Sequence, residues 1–203
     1  SAMALTLLIS LPLGIMIAAW HNSRMDYVIR FLTFIGNATP GFIIAIVLMF
    51  VFSYRLGWIP VLATTKPIGM ILPSATLALV MSSRYIRQIR AAALDELRKD
   101  YIIGLRARGI SERVILFRNV LKNIMVIVIT LIGISVGALL GGTVIIETIF
   151  NWPGIGSLIM TAITNRDYPV IQAVVVWMAL AFFLVNLIAD FSYRYFNPKI
   201  KDL

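Results

Sequence analysis

Residues 84–122 read RYIRQIRAAALDELRKDYIIGLRARGISERVILFRNVLK, a run with ten Lys/Arg and four Asp/Glu. The chain on either side is mostly apolar, in stretches that reach the roughly 20 residues a helix needs to cross a bilayer. A soluble core has no use for that much apolar sequence. An ordinary membrane loop, in turn, does not need a charged insert with helical periodicity. The layout predicts a polytopic, all-α membrane bundle that presents one wet, structured element to a partner.

Working outward, the spans fall at about 3–20, 31–54, 70–86, 124–146 and 169–193, five in all. Pro40 lies inside the second and removes a backbone donor, so a kink or break is expected there. Hydrophobic residues make up 60% of the 203 and charged residues 13%, about half the charged share of an average soluble domain. The net charge of +9 would suit nucleic acid. Its placement between spans points instead to membrane topology, and no nucleic-acid partner is expected. Fifteen Lys/Arg fall on one side of the predicted spans, and Arg55, Lys66 and Arg166 on the other. The positive-inside bias puts the first side in the cytoplasm. Span one then runs inward, which would need a preceding span, so an N-terminal piece is expected to be missing. The chain has no Cys and a single His, His21. Disulfides, thiolate metal sites and multi-histidine sites are therefore excluded.

Within the basic run, residues 91–108 read as one amphipathic helix. Leu94, Leu97, Tyr101 and Leu105 form its apolar stripe, at steps of three or four. Gly109 stands where a left-handed helix end belongs. Ser111 can cap a second helix with Glu112 in its first turn, and that helix runs on into span four. Two readings stay open on these residues alone: a positive-inside loop packed on the bundle, or a docking knob for a cytoplasmic motor. In span four, Gly133, Gly137 and Gly141 line one face and allow close helix approach, as static packing or as a sliding surface. The outer segment 147–168 contains Asn151-Trp152-Pro153-Gly154, with Pro and Gly where a type II turn wants them, then a short helix at about Ile155 to Thr164. Asn37, Thr39, Ser74, Thr76, Ser82, Ser83 and Asn186 are polar groups inside the spans. They read as helix-packing hydrogen bonders rather than solute contacts.

At this point the residues carry a resemblance. Arg87, Arg90, Leu94, Asp100-Tyr101, Arg106-Ala107-Arg108-Gly109, Arg118, Leu121, Asn123 and Val128-Ile129-Thr130 are similar, in order and spacing, to the coupling region of bacterial ABC importer permeases. The dipeptide/oligopeptide/nickel subgroup fits best. A second block, Gly142 to Phe150, Trp152-Pro153-Gly154-Ile155-Gly156 and Asn165-Arg166-Asp167-Tyr168-Pro169, resembles that subgroup's C-terminal signature, as does the ending around Asn186, Asp190 and Asn197-Pro198. Leu105, Asn119 and Ile127 depart from the usual pattern.

The resemblance implies a single permease domain over 1–203 with a coupling segment at 87–122, in a bacterial inner membrane. It implies a second related permease subunit, two cytoplasmic ATPases that bind ATP and Mg, and an external solute-binding protein. Asp100, Tyr101, Arg106, Ala107, Arg108, Gly109, Ser111 and Glu112 would form the ATPase-coupling turn. Glu147, Trp152, Pro153, Gly154 and Asp167 would belong to the external rim. The chain has no phosphate-cradling Gly-x-x-x-x-Gly-Lys-Ser/Thr loop, so it is not expected to be an enzyme or to hold a cofactor. Peptides, nickel and metal chelates are the solutes implied. A secondary transporter would need an intramembrane ion site and usually a repeat, and neither is visible. A non-transporting scaffold that recruits a partner through the same basic helix is the other alternative.

Overall fold

A computed structural model describes residues 1–60 and 67–196. Lys66, Asn197, Pro198, Lys199 and Lys201 lie outside the described residues. Helix α1 (Ala2–Ala19) ends at the polar turn that contains Asn22, which has φ 62. Helix α2 (Arg24–Ala38) begins at Ser23, whose hydroxyl accepts from the Asp26 N–H at 3.2 Å, a side-chain cap of the usual kind. Helix α3 (Gly41–Leu48) follows and continues as a π-helical turn over Met49–Arg55. A 3₁₀ turn at Pro67–Met70 leads into α4 (Ile71–Leu97). Next come α5 (Asp100–Ala107) and α6 (Glu112–Val114), then a π turn over Ile115–Val120 that runs into α7 (Leu121–Gly142). Helices α8 (Val144–Ile149), α9 (Ile155–Thr164) and α10 (Tyr168–Phe196) complete the bundle. The described residues contain no strand.

Among the described residues three helices are long and apolar enough to cross a membrane: Ala2–Ala19, Glu112–Leu139 and Tyr168–Ile188. The expected second span is not one straight helix. It is the pair α2 and α3 with its π turn, bent by 103°. Thr39 and Pro40 form the corner, with Thr39 in an extended conformation (ψ 124), as the residue before a proline prefers. The expected third span is the first half of α4, which has 27 residues. That is about 40 Å of helix, enough to cross, although its second half is charged.

Helix α4 is the hub, and α1, α2, α3 and α7 all pack on it. Small residues set these distances. A side chain at Gly14 would meet Ile89 Cγ2 at 2.6 Å, so α1 lies directly on α4. The main core joins Ile15, Tyr85, Ile89, Ala93, Ile102, Ile115, Val120 and Ile124. It therefore welds the base of the bundle to α5 and to the π turn before α7. A smaller core of Ala45, Leu72, Ile146 and Phe150 sits at the other end. Helix α10 is different, since only 6% of its apolar stretch is buried within the chain.

Four of the intramembrane polar side chains serve local needs, whereas the buried Ser82 Oγ has no hydrogen-bond partner among the described residues. Thr39, Thr76, Ser83 and Asn186 bond to carbonyls four residues back on their own helices. Ser74 Oγ lies 2.7 Å from Ser1 Oγ.

Candidate functional site

The basic run does not fold as one helix over 91–108. The structure corrects that reading: α4 stops at Leu97, the chain turns at Arg98-Lys99, and α5 starts afresh at Asp100. Lys99 is extended (ψ 146) and donates its N–H to the Glu96 carbonyl at 3.2 Å. Leu94, Leu97 and Leu105 still pack against the main core, from two helices rather than one.

A buried carboxylate holds this corner. Glu96 is 6% exposed. Its Oε1 accepts from the Tyr101 hydroxyl at 2.6 Å and from Asn123 Nδ2 at 2.7 Å, and its Oε2 accepts from Lys99 Nζ at 2.5 Å. Asn123 also donates to the Tyr101 oxygen at 2.9 Å. One acid thus ties the end of α4, the start of α5 and the start of α7. Burial pushes the Glu96 carboxyl upward, but the three donors outweigh it and hold the pKa below its ordinary value. Burial, together with the bond to Glu96, pushes the Tyr101 hydroxyl up to about 12.

Helix α5 ends in a Schellman turn. The Gly109 N–H donates to the Arg106 carbonyl at 2.9 Å, and the Ile110 N–H to the Leu105 carbonyl at 3.2 Å. Gly109 has φ +74, the left-handed conformation that glycine adopts without a steric penalty. Leu105 and Ile110, the pair such a turn brings together, both pack on the main core. Across the turn, Arg106 Nε donates to Glu112 Oε1 at 2.6 Å and Arg106 Nη2 to Oε2 at 3.3 Å. This bond raises the Arg106 pKa. Ser111 occupies the cap position of α6, but its hydroxyl makes no capping bond. Asp100, Ala107 and Arg108 are exposed, and neither Asp100 nor Arg108 forms an ion pair among the described residues. Six of the eight residues expected in the coupling turn therefore fall into three pairs. Tyr101 and Gly109 shape the knob, Arg106 and Glu112 satisfy each other, and Asp100 and Arg108 face outward.

A second buried acid escaped the sequence reading. Asp26 is fully buried and accepts Arg90 Nε on Oδ1 and Arg90 Nη2 on Oδ2, both at 2.7 Å. The Asn22 N–H donates to Oδ2 at 3.0 Å, and Arg30 Nε approaches Oδ1 at 3.4 Å. This forked pair fixes the α1–α2 corner to α4. Its one local signal was Ser23-x-x-Asp26 at a helix start. The partner lies 64 residues away, beyond the reach of any local pattern.

The opposite end holds the expected rim residues. Glu147 Oε2 accepts from the Ser157 N–H at 3.1 Å, at the start of α9, where the helix dipole favours a carboxylate. A side chain at Gly154 would meet that carboxylate at 2.3 Å. The type II turn is absent: Gly154 has φ −120 and ψ −177, and Asn151, at φ 50, takes the left-handed position. Pro153 is exposed and Trp152 half-buried. The Trp152 N–H donates to the Glu147 carbonyl at 2.8 Å. Asp167 caps α10 by accepting from the Val170 N–H at 3.2 Å. In α7, Gly133 is buried and Gly137 lies against the Phe182 ring of α10, leaving 2.4 Å for any added side chain. Gly141 continues the same helix.

Comparison with known proteins agrees with this architecture. The chain is 37% identical over 200 residues to the glutathione transport system permease protein GsiC of Pectobacterium atrosepticum, covering 98% of this chain and 65% of that protein. It is 38% identical over 201 residues to GsiC of Salmonella choleraesuis, and 36% identical over 201 residues to GsiC of Escherichia coli K12, each match covering 99% of this chain and 66% of the relative. The chain thus spans just under two thirds of the length of these relatives. A chain of the MetNI methionine ABC transporter, solved in inward-facing conformations, superposes with a TM-score of 0.78 at 14% identity, covering 97% of this chain and 89% of that one; the likeness is one of fold. Residues 10–202 match the model of one family, and the chain belongs to it: the binding-protein-dependent transport system inner membrane components.

Proposed function

We propose that this chain is a permease subunit of an ATP-driven ABC importer and forms half of a solute pathway. In this reading, α5 and its glycine turn dock on a cytoplasmic ATPase that binds ATP and Mg. A second, related permease subunit supplies the other half, and an external solute-binding protein meets the 147–168 rim. The observation that carries the reading is the way the knob is fastened. Glu96, Tyr101 and Asn123 bind α5 to the ends of both α4 and α7. A pull on α5 is thereby passed to two long helices at once, and rigid elements moving between two arrangements are how such coupling travels. The solute class that the relatives' names support is a small peptide, glutathione being one; nickel and metal chelates have no support from those names.

The test is made in the full chain assembled with its partners. Gly109→Pro removes both the left-handed turn and the N–H that closes it. Charge reversal at Arg106 and Arg108 inverts the turn's surface. Both variants are expected to insert normally and to leave ATP hydrolysis running without solute uptake. Uptake still coupled at the wild-type rate would refute the docking assignment.

A further inference from the structure

A cleft of about 390 Å³ opens between α3, α4, α7 and α8. Its walls are mostly apolar, with Pro40, Leu77, Val80 and Leu139 among them. The polar groups are few: the Tyr85 hydroxyl, which donates to Ser135 Oγ at 3.0 Å, and the Arg84 guanidinium. Among the described residues no Asp or Glu lines the cleft. Arg84 is exposed and forms neither a hydrogen bond nor an ion pair among the described residues, whereas Arg90, six residues on, is locked to Asp26. The cleft is also deep. Ser135 lies thirteen residues along the helix from Lys122, the last charge of the basic run, or about 20 Å. Arg84, the first charge of the basic run, stands at the cytoplasmic end of the cleft, and an arginine without a counter-ion that faces a cavity between spans is of the kind that marks solute pathways. An apolar cleft with a few convergent polar groups is also the usual form of a small-molecule site.

We infer that Arg84 is a specificity-determining residue that binds the carboxylate of an anionic solute in this cleft, with the Tyr85–Ser135 hydroxyl pair beside it. The planar guanidinium offers two parallel donors that match a carboxylate. An apolar surround strengthens that contact and excludes competing water. The inference rests on the importer reading and adds to it a selected chemical group and the residue that selects it.

The test uses the full chain with its partner subunits in proteoliposomes. ATP-dependent uptake is compared for glutathione and for its monoethyl ester, which has one carboxylate masked. Because both solutes are handed over by the same binding protein, the change in the acid-to-ester ratio between variants isolates the permease. Arg84→Gln is expected to lower that ratio by about tenfold, the usual worth of a charge-assisted hydrogen bond, and Arg84→Lys to retain most of it. An unchanged ratio in Arg84→Gln would overturn the inference, as would equal losses for acid and ester; either would leave Arg84 as a contact for lipid phosphate or as a packing group. No ATP-dependent uptake of glutathione, its ester or any small peptide by the unmodified assembly would instead overturn the importer reading beneath it.

Discussion

Glu96 and Gly109 govern the knob by different physics, and their substitutions should separate. Glu96→Gln keeps the shape but removes the charge that three donors converge on, for a loss of roughly 1–3 kcal/mol in thermal unfolding of the detergent-solubilised protein. The same cluster sets a pH window. The Glu96 pKa is lowered by folding, so its contribution is complete above the ordinary value of 4.5 and disappears as pH falls through the folded value. The Tyr101 pKa is raised from 10.0 to about 12, so its contribution is complete below pH 10 and is lost towards 12. Hydrogen exchange at the α5 amides should therefore stay slow, after correction for the intrinsic rate, between these limits and rise outside them. Gly109→Ala meets no atom within 4 Å and suffers only from its φ of +74, a penalty of about 1–2 kcal/mol. Gly104→Ala, also in open space but inside α5, should stabilise by about 0.5–1 kcal/mol. The opposite signs, read from two melting curves, would establish that backbone conformation rather than packing sets the glycine requirement.

At the scale of elements, α4 organises everything, and two contacts test that. Asp26→Asn leaves the Arg90 guanidinium, 16% exposed, without its counter-charge, which should destabilise by on the order of 3–5 kcal/mol. Gly14→Ala drives a methyl into Ile89 and should loosen α1 from α4 at roughly 1–3 kcal/mol. Melting temperature reads both, and values at or above wild type would contradict the packing described. The elements were legible in proportion to how local their causes are. The α9 helix was visible because Pro153-Gly154 and the polar Asn165-Arg166-Asp167 bracket it. The break at Arg98-Lys99 was hidden because Leu94, Leu97, Tyr101 and Leu105 keep a helical spacing straight through it. Pro40 announced a break. Its 103° follows from where α3 packs on α4 and α8, and no local rule contains that. In the 151–154 turn, the Pro-Gly pair suggested a left-handed glycine. The Glu147 carboxylate against Gly154 belongs instead to an extended residue that starts a helix.

For the whole molecule, the charged knob and the 147–168 rim lie at opposite ends of α7 and α8, so they should face opposite sides of the membrane. Because the chain has no cysteine, single-cysteine variants report this cleanly. Ser111→Cys should react with an impermeant maleimide only in inside-out vesicles, and Thr161→Cys only in right-side-out ones. Labelling of both from one side would exclude the topology. The overall class was the most legible level of all, since it needs only apolar length and the asymmetry of charge. The cleft was the least, because Pro40, Arg84 and Ser135 are brought together by tertiary packing.

The Asp26–Arg90 bond also has a history written into its separation. The two residues are 64 apart in the chain, so at ordinary synthesis speeds the acid is joined to the chain roughly 3–13 s before its partner exists. During that interval Arg90 is not there to neutralise the carboxylate, and Arg30, the partly exposed cation one turn along α2, can pair with it only where both stay hydrated. The corner between α1 and α2 is thereby held at the water boundary while the first two helices are being placed. An ion pair that in the finished protein acts as a fastener serves, during manufacture, as a float.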